Sequence, residues 1–256
     1  VSVRAFLRGA PAAVTFLTII PVPGYRSRRG DWHWTPAWFP VIGAVIGCIL
    51  ASVWHLSDWL GRGVTASMVV LVSILLTGAL HEDGLADSVD ALGGSHNRDR
   101  LFEILKDSRI GTYGALALIA SVLLRVMLVI ELDARAGAAL VLSHTLARTA
   151  PVWLMATLPY VTPPTTARST AVAGAGQVQM LFATALSLFV VAGLAGASSI
   201  TAAGAVTALL GVAAATGLLA HWFRKRAAGV TGDFLGMTEQ ICECVTLLGL
   251  VVAYSR

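Results

Sequence analysis

Charge is what this sequence has least of. Asp, Glu, Lys and Arg make up 12% of its 256 residues, against about 25% in ordinary soluble domains. With 56% of residues hydrophobic and a mean hydropathy of +0.77, that scarcity excludes a soluble globular domain. It also excludes a disordered chain, because so apolar a sequence cannot stay solvated as a coil. Cysteine is scarce too. Cys48, Cys242 and Cys244 are odd in number, lie in apolar stretches and have no metal-ligand spacing to histidine, so they read as small buried apolar residues. Val1 to Ile20 has no small-residue cleavage site and ends at Pro21 and Pro23, so no removable signal peptide is expected. There is no fixed-period repeat and no long linker. A single membrane-embedded domain over 1–256 is the simplest count.

What the chain does have is apolar length. Stretches near 37–57, 64–91, 113–132, 138–158, 178–197, 200–222 and 234–254 approach or exceed the ~20 residues that a helix needs to cross a bilayer. They run unbroken, without the alternation of barrel strands. The expected fold is therefore all-α and polytopic, with about seven transmembrane helices. The shorter segment 5–20, ended by proline, is expected to be a re-entrant or interfacial helix. Gly204, Gly211 and Gly217 suggest close packing of the sixth stretch against a neighbour.

The basic residues fall on one side of this seven-span scheme. Arg4, Arg8, Arg26, Arg28, Arg29, Arg98, Arg100, Lys106, Arg109, Arg168, Arg224, Lys225 and Arg226 share a face. Arg62, Arg135 and Arg256 lie on the other, and Arg125 and Arg148 lie within spans. This imbalance is the positive-inside signature and places the N-terminus and long loops in the cytoplasm. Basic residues so distributed set topology, so the net charge of +4 implies no nucleic-acid partner. Of the acids, only Asp58, Glu131 and Asp133 fall on the outer side. The cytoplasmic face gathers carboxylates.

The densest group is His81-Glu82-Asp83-Gly84-Leu85-Ala86-Asp87-Ser88-Val89-Asp90, read as the polar end of helix 64–91. At ~100° per residue, Asp83, Asp87 and Asp90 share one helical stripe. Like charges on a stripe near lipid need a compensating cation. Hard oxygen donors select magnesium, manganese or calcium, and a substrate phosphate favours magnesium. Glu82, a quarter turn away, is a candidate supporting ligand. A solvated helix end bridged to Arg98 and Arg100 is the alternative, and His81 reads at least as well as a packing histidine.

Two further polar segments follow. The run Lys106-Asp107-Ser108-Arg109-Ile110-Gly111-Thr112-Tyr113-Gly114 places bases, hydroxyls and glycines before a helix start, where backbone N–H groups and basic side chains can cradle phosphate. An ordinary membrane-surface loop is the competing explanation. Gly229 to Gly236 leads into the last helix, with Asp233 placed as an N-cap. Glu243 lies deep in that span, where an ionisable group is costly. Arg148, mid-span, reads as its partner or as a phosphate ligand, and Arg125 as a structural pair.

These residues resemble, in order and spacing, the adenosylcobinamide-GDP ribazoletransferase (cobalamin synthase) family. The resemblance rests on Phe16-Leu17-Thr18 with Pro21-Val22-Pro23, Phe39-Pro40 through Gly43 and Gly47, His81–Asp90, Lys106–Gly114 and Gly229–Gly236, and runs from about residue 14 to 245. It departs near Arg168, where Ala173-Gly174-Ala175-Gly176 stands in place of an expected glycine. It implies an integral membrane enzyme of the bacterial inner membrane that joins adenosylcobinamide-GDP to α-ribazole or its 5′-phosphate, releasing GMP with magnesium. It implies Glu82, Asp83, Asp87 and Asp90 as metal-site acids, the last a candidate general base. Asp107, Arg109, Asp233 and Glu243 become supporting polar positions, and Lys106 and Arg109 neutralise GMP. The oligomeric state, including a homo-oligomer, is left open.

Two rival families share parts of this pattern. A CDP-alcohol phosphotransferase also uses aspartates on a membrane helix, but Leu80, Asp87-Ser88, Leu101 and Leu105 stand where that family needs acids and Ala-Arg. A secondary transporter would place its ionisable residues near the midplane between repeats, whereas these acids crowd one face. The orientation is directly testable. A cysteine introduced at Ser108 should resist an impermeant maleimide in intact cells and react once the membrane is opened. Labelling of intact cells would reverse the scheme.

Overall fold

A computed structural model describes residues 3–26, 29–161 and 175–255. Among them every regular element is helical, and the sole β pairing is an isolated bridge between Tyr160 and Val230. Among the described residues ten α-helices follow in chain order. They are α1 Val3–Leu17, α2 Phe39–Leu56, α3 Arg62–Thr77, α4 Leu80–Gly94, α5 Arg98–Ile104, α6 Thr112–Leu132, α7 Ala136–Thr157, α8 Gln177–Gly196, α9 Ala202–Ala227 and α10 Gly232–Tyr254. Most of the apolar stretches read from sequence coincide with a helix to within a few residues. Arg28, Arg168 and Arg256, counted in the charge imbalance, lie outside the described residues.

Five helical stretches are long and apolar enough to cross a membrane, and the bent pair α3 and α4 is a sixth candidate. One of the five, Thr112–Thr157, comprises α6 and α7. It turns at Asp133, whose φ is 44°, and folds back so that Arg125 of α6 and His144 of α7 meet the same Glu243 of α10. Leu116, Ile119, Leu123 and Met127 on α6, and Leu181 and Phe189 on α8, are exposed, a pattern that water would penalise and lipid accepts. The chain is an all-α, multi-pass membrane protein.

The stretch 64–91 is not one helix, contrary to the reading from hydropathy. It breaks at Gly78 and Ala79, both in the left-handed region at φ 63° and 57°, and α4 leaves α3 at 90°. The C-terminus of α3 is closed by Gly78 and Ala79, whose N–H groups donate to Leu75 and Ile74. The acidic residues therefore belong to a separate helix lying across the bundle.

The centre of the bundle is α7, which packs against α2, α8, α9 and α10 and is buried over most of its length. α2 reaches it through glycines. A Cβ on Gly47 would lie 2.5 Å from the Cα of Val141, and one on Gly43 would collide with the His144 carbonyl. Gly204 and Gly211 bring α9 against Leu250 and Val245 of α10 as expected, while Gly217 faces open space. α1 lies against the 3-10 segment Arg29–Trp38, held by the Arg8 to Asp31 ion pair at 2.7 Å and by Trp38 Nε1 donating to the Phe6 carbonyl.

Replacing Gly47 by leucine forces α2 off α7. Overpacking of this kind costs about 1–3 kcal/mol, so the variant should lose its monodisperse detergent peak at lower temperature than the parent, and an unchanged melting profile would contradict the packing.

Candidate functional site

The acidic helix α4 is seated against the first turn of α10 by another close approach. A Cβ on Gly84 would lie 2.8 Å from the Asp233 carbonyl and 3.1 Å from the Gly236 Cα. Glycine between Asp83 and Asp87 thus brings their helix beside Asp233. Asp87 lies within electrostatic reach of Asp83, Asp90 and Asp233. Asp83 is exposed, and Asp87 and Asp233 are half-buried. None of the three has a basic partner within ion-pair distance among the described residues. Asp233 is not the N-cap expected from sequence. Thr231 caps α10, its side chain accepting from the Phe234 N–H, and Asp233 stands in the first turn with its carboxylate hydrogen-bonded to Thr231.

Asp90 is engaged elsewhere. Its two carboxylate oxygens accept from the N–H groups of Gly111 at 2.7 Å and Gly114 at 2.8 Å, so it closes the N-terminus of α6. Carboxylates are favoured at that end of a helix. A Cβ on either glycine would collide with this carboxylate. Two of the backbone donors that sequence assigns to phosphate are therefore already taken. What remains at this end is an open cleft of about 540 Å³ lined by Arg100, Asp107, Arg109, Thr112 and Tyr113. Arg109 hydrogen-bonds to Asp107 at 2.7 Å, and these bonds pull the Asp107 carboxyl down to about 2. Both residues of the pair face solvent, as do Lys106 and Ser108.

Glu82 is not on the stripe. It is buried, accepting from Arg125 Nη2 at 3.1 Å and Gln240 Nε2 at 3.3 Å. It belongs to a cluster beneath the acidic face that joins Arg125, His144, Arg148, Glu239 and Glu243, all within 3% of full burial. The partner of Arg148 is Glu239, at 2.7 Å, rather than Glu243. Glu243 instead lies 3.7 Å from both Arg125 Nη1 and His144 Nε2. Glu239 and Gln240 belong to the polar patch at the start of the last helix but carry no assigned role from sequence, and His144 is not singled out there. Their signal was the i, i+4 spacing of Glu239 with Glu243 and of His144 with Arg148, which puts each pair on one helical face.

His144, Glu239 and Glu243 have the mutual spacing of a metal site, but the chemistry opposes one. Arg148 Nη1 lies 2.8 Å from His144 Nδ1. A guanidinium only donates, so Nδ1 accepts, and in neutral imidazole Nε2 then carries the proton and offers a metal no lone pair. Two guanidinium groups beside it would also repel a cation. The cluster is an ion-pair network.

Between this network and the acidic face is a cavity of about 160 Å³ bounded by α1, α2, α4, α7 and α10. Its walls are Phe16, Leu17, Phe39, Pro151, Met155 and Leu235. Arg148, Glu239 and His81 supply its polar lining, with Asp83 and Asp233. His81 Nδ1 lies 3.7 Å from Glu239, so His81 faces the same cavity as Asp83. A second, more open cleft, lined by Thr18, Ile19, Thr77 and Gly78, shares Phe16, Leu80 and Asp83 with the first. Asp83 stands where the two meet.

A model of the cobalamin-5-phosphate synthase family matches residues 9–251. The chain belongs to that family. Similar proteins are the adenosylcobinamide-GDP ribazoletransferases of Leptothrix cholodnii, 37% identical over 93% of this chain and 92% of the relative, and of Shewanella oneidensis, 36% identical over 94% and 92%. That of Polaromonas naphthalenivorans is 36% identical over 97% and 99%. No solved structure matches. As a cobalamin-5-phosphate synthase family member the chain is an enzyme of the transferase class.

Breaking the buried Arg148 and Glu239 pair on one side leaves an uncompensated charge, at a cost of about 3–5 kcal/mol. Arg148→Met and Glu239→Gln should each lower the detergent melting temperature strongly, and the double variant by less than the sum. Additive losses would show that the two side chains do not interact.

Proposed function

We propose that this chain transfers the cobinamide phosphate of adenosylcobinamide-GDP to α-ribazole or its 5′-phosphate, releasing GMP. The active site faces the cytoplasm of the bacterial inner membrane within a single catalytic domain. The observation that carries the reading is the meeting of Asp83 and Asp87 on α4 with Asp233 on α10, carboxylates without basic partners among the described residues, of which Asp83 and Asp233 line a cavity. Relatives named for this reaction align over nearly the whole chain.

The donor set suits magnesium in kind: Asp83 and Asp87 on α4 and Asp233 on α10 are hard oxygen donors within electrostatic reach of one another. Asp83 and Asp87 would hold the ion, which supplies neutralisation of the pyrophosphate charge when bound. Glu82, committed to Arg125, and Asp90, committed to α6, support the site from outside it. A ribazole hydroxyl oxygen attacks the phosphorus on the cobinamide side. The P–O bond to GMP breaks, and the hydroxyl proton passes to Asp233, which lines the cavity. Arg109 and Lys106, on the loop that Asp90 holds through Gly111, neutralise the departing GMP. Arg148 and Glu243 act from below by keeping α7 and α10 in register. Ser108, Thr112 and Tyr113 flank the nucleotide cleft. Most of the rate enhancement then comes from positioning and electrostatics, as is usual for phosphoryl transfer.

Purified protein should release GMP from adenosylcobinamide-GDP only when α-ribazole and magnesium are both present. Asp83→Asn and Asp87→Asn should each lower turnover by ~10²-fold or more with membrane insertion intact. Near-normal activity in both would remove the assignment.

A further inference from the structure

The two substrates of the proposed reaction differ in chemistry, and so do two of the recesses on the α4 face, the inner cavity and the cleft beside α5. The outer cleft beside α5 is open, polar and edged by Arg100 and Arg109. The inner cavity is small and walled by Phe16, Phe39, Met155 and Leu235, with Phe16 and Phe39 stacked at 5.3 Å and 28°. Its one cation, Arg148, is committed through Nη1 to Glu239 and His144. Asp83 and Asp233 give its lining negative charge. An anionic phosphate entering this cavity would lose hydration and pass two carboxylates for no free counter-charge. A bulky corrinoid ring does not fit about 160 Å³.

Resting on the functional reading above, we infer that this cavity is the acceptor subsite. It takes the flat apolar benzimidazole base of ribazole edge-on, base inward and sugar outward. The base packs against Phe16, Phe39 and Met155. The ribose is left beside Asp83 and Asp233, where its hydroxyl is needed. Arg148 marks the inner polar edge. Its Nε–H is buried and has no hydrogen-bond partner, and the free ring nitrogen of a benzimidazole is an acceptor that can meet it. A purine base would bring further ring nitrogens and an exocyclic group against apolar walls, where unpaired polar atoms are penalised. The cavity thus selects the acceptor by what its walls cannot satisfy.

The test separates the two substrates. Met155→Phe narrows the cavity and should raise KM for α-ribazole about 10-fold or more while changing KM for adenosylcobinamide-GDP less than about 2-fold. A rise in the adenosylcobinamide-GDP value instead, or no change in either, would overturn the subsite. Should Met155→Phe fail to fold, Met155→Cys decides. Alkylation at residue 155, followed by peptide mass spectrometry, should be slowed by α-ribazole and not by GMP. Protection by GMP alone, or by neither, defeats the inference. Absence of any turnover by the parent protein with both substrates and magnesium would instead strike the functional reading itself.

Discussion

An ion placed inside a bilayer must find its counter-charge within the protein, because lipid supplies none. That constraint organises this fold. Glu82 on α4, Arg125 on α6, His144 and Arg148 on α7, and Glu239 and Glu243 on α10 cannot be left apart at membrane depth, so four helices are drawn to one centre. The acidic face is built on that centre. Glu82 and Asp83 are neighbours in sequence, so anchoring the first to Arg125 fixes where the second emerges. Glu239 lies beyond Asp233 on the same helix, so its tie to Arg148 helps to set the height of Asp233.

A division of labour among similar residues follows. Five acids lie on or beside α4 and the start of α10, and they do different work. Glu82 neutralises a buried guanidinium, Asp90 closes a helix, and Asp83, Asp87 and Asp233 remain without basic partners. The glycines follow the same logic. Gly84 admits α10, and Gly111 and Gly114 make room for the Asp90 carboxylate. Positions that look like parts of one motif thus serve three distinct contacts.

Much of this was legible beforehand. Span positions follow from hydropathy because a bilayer core imposes a length, and the stripe of Asp83 and Asp87 follows from helical period alone. The break at Gly78 and Ala79 was not seen because hydropathy averages across it, and a left-handed pair leaves no mark on a mean. The wrong partner for Arg148 has another cause. Periodicity tells which face a side chain takes, but not the height at which two helices meet, and one turn separates Glu239 from Glu243. Asp90 was misplaced for a related reason, since its contacts lie 21 and 24 residues away in sequence.

The right-angled break has a bearing on the lipid as well. Sixteen residues of α3 rise about 24 Å at 1.5 Å each, short of the ~30 Å of hydrocarbon in a typical membrane. A helix this short is matched by local thinning of the bilayer or by flanking side chains that reach the interface. Where the bilayer thins beside so short a helix, headgroups and water come closer to the bend between α3 and α4.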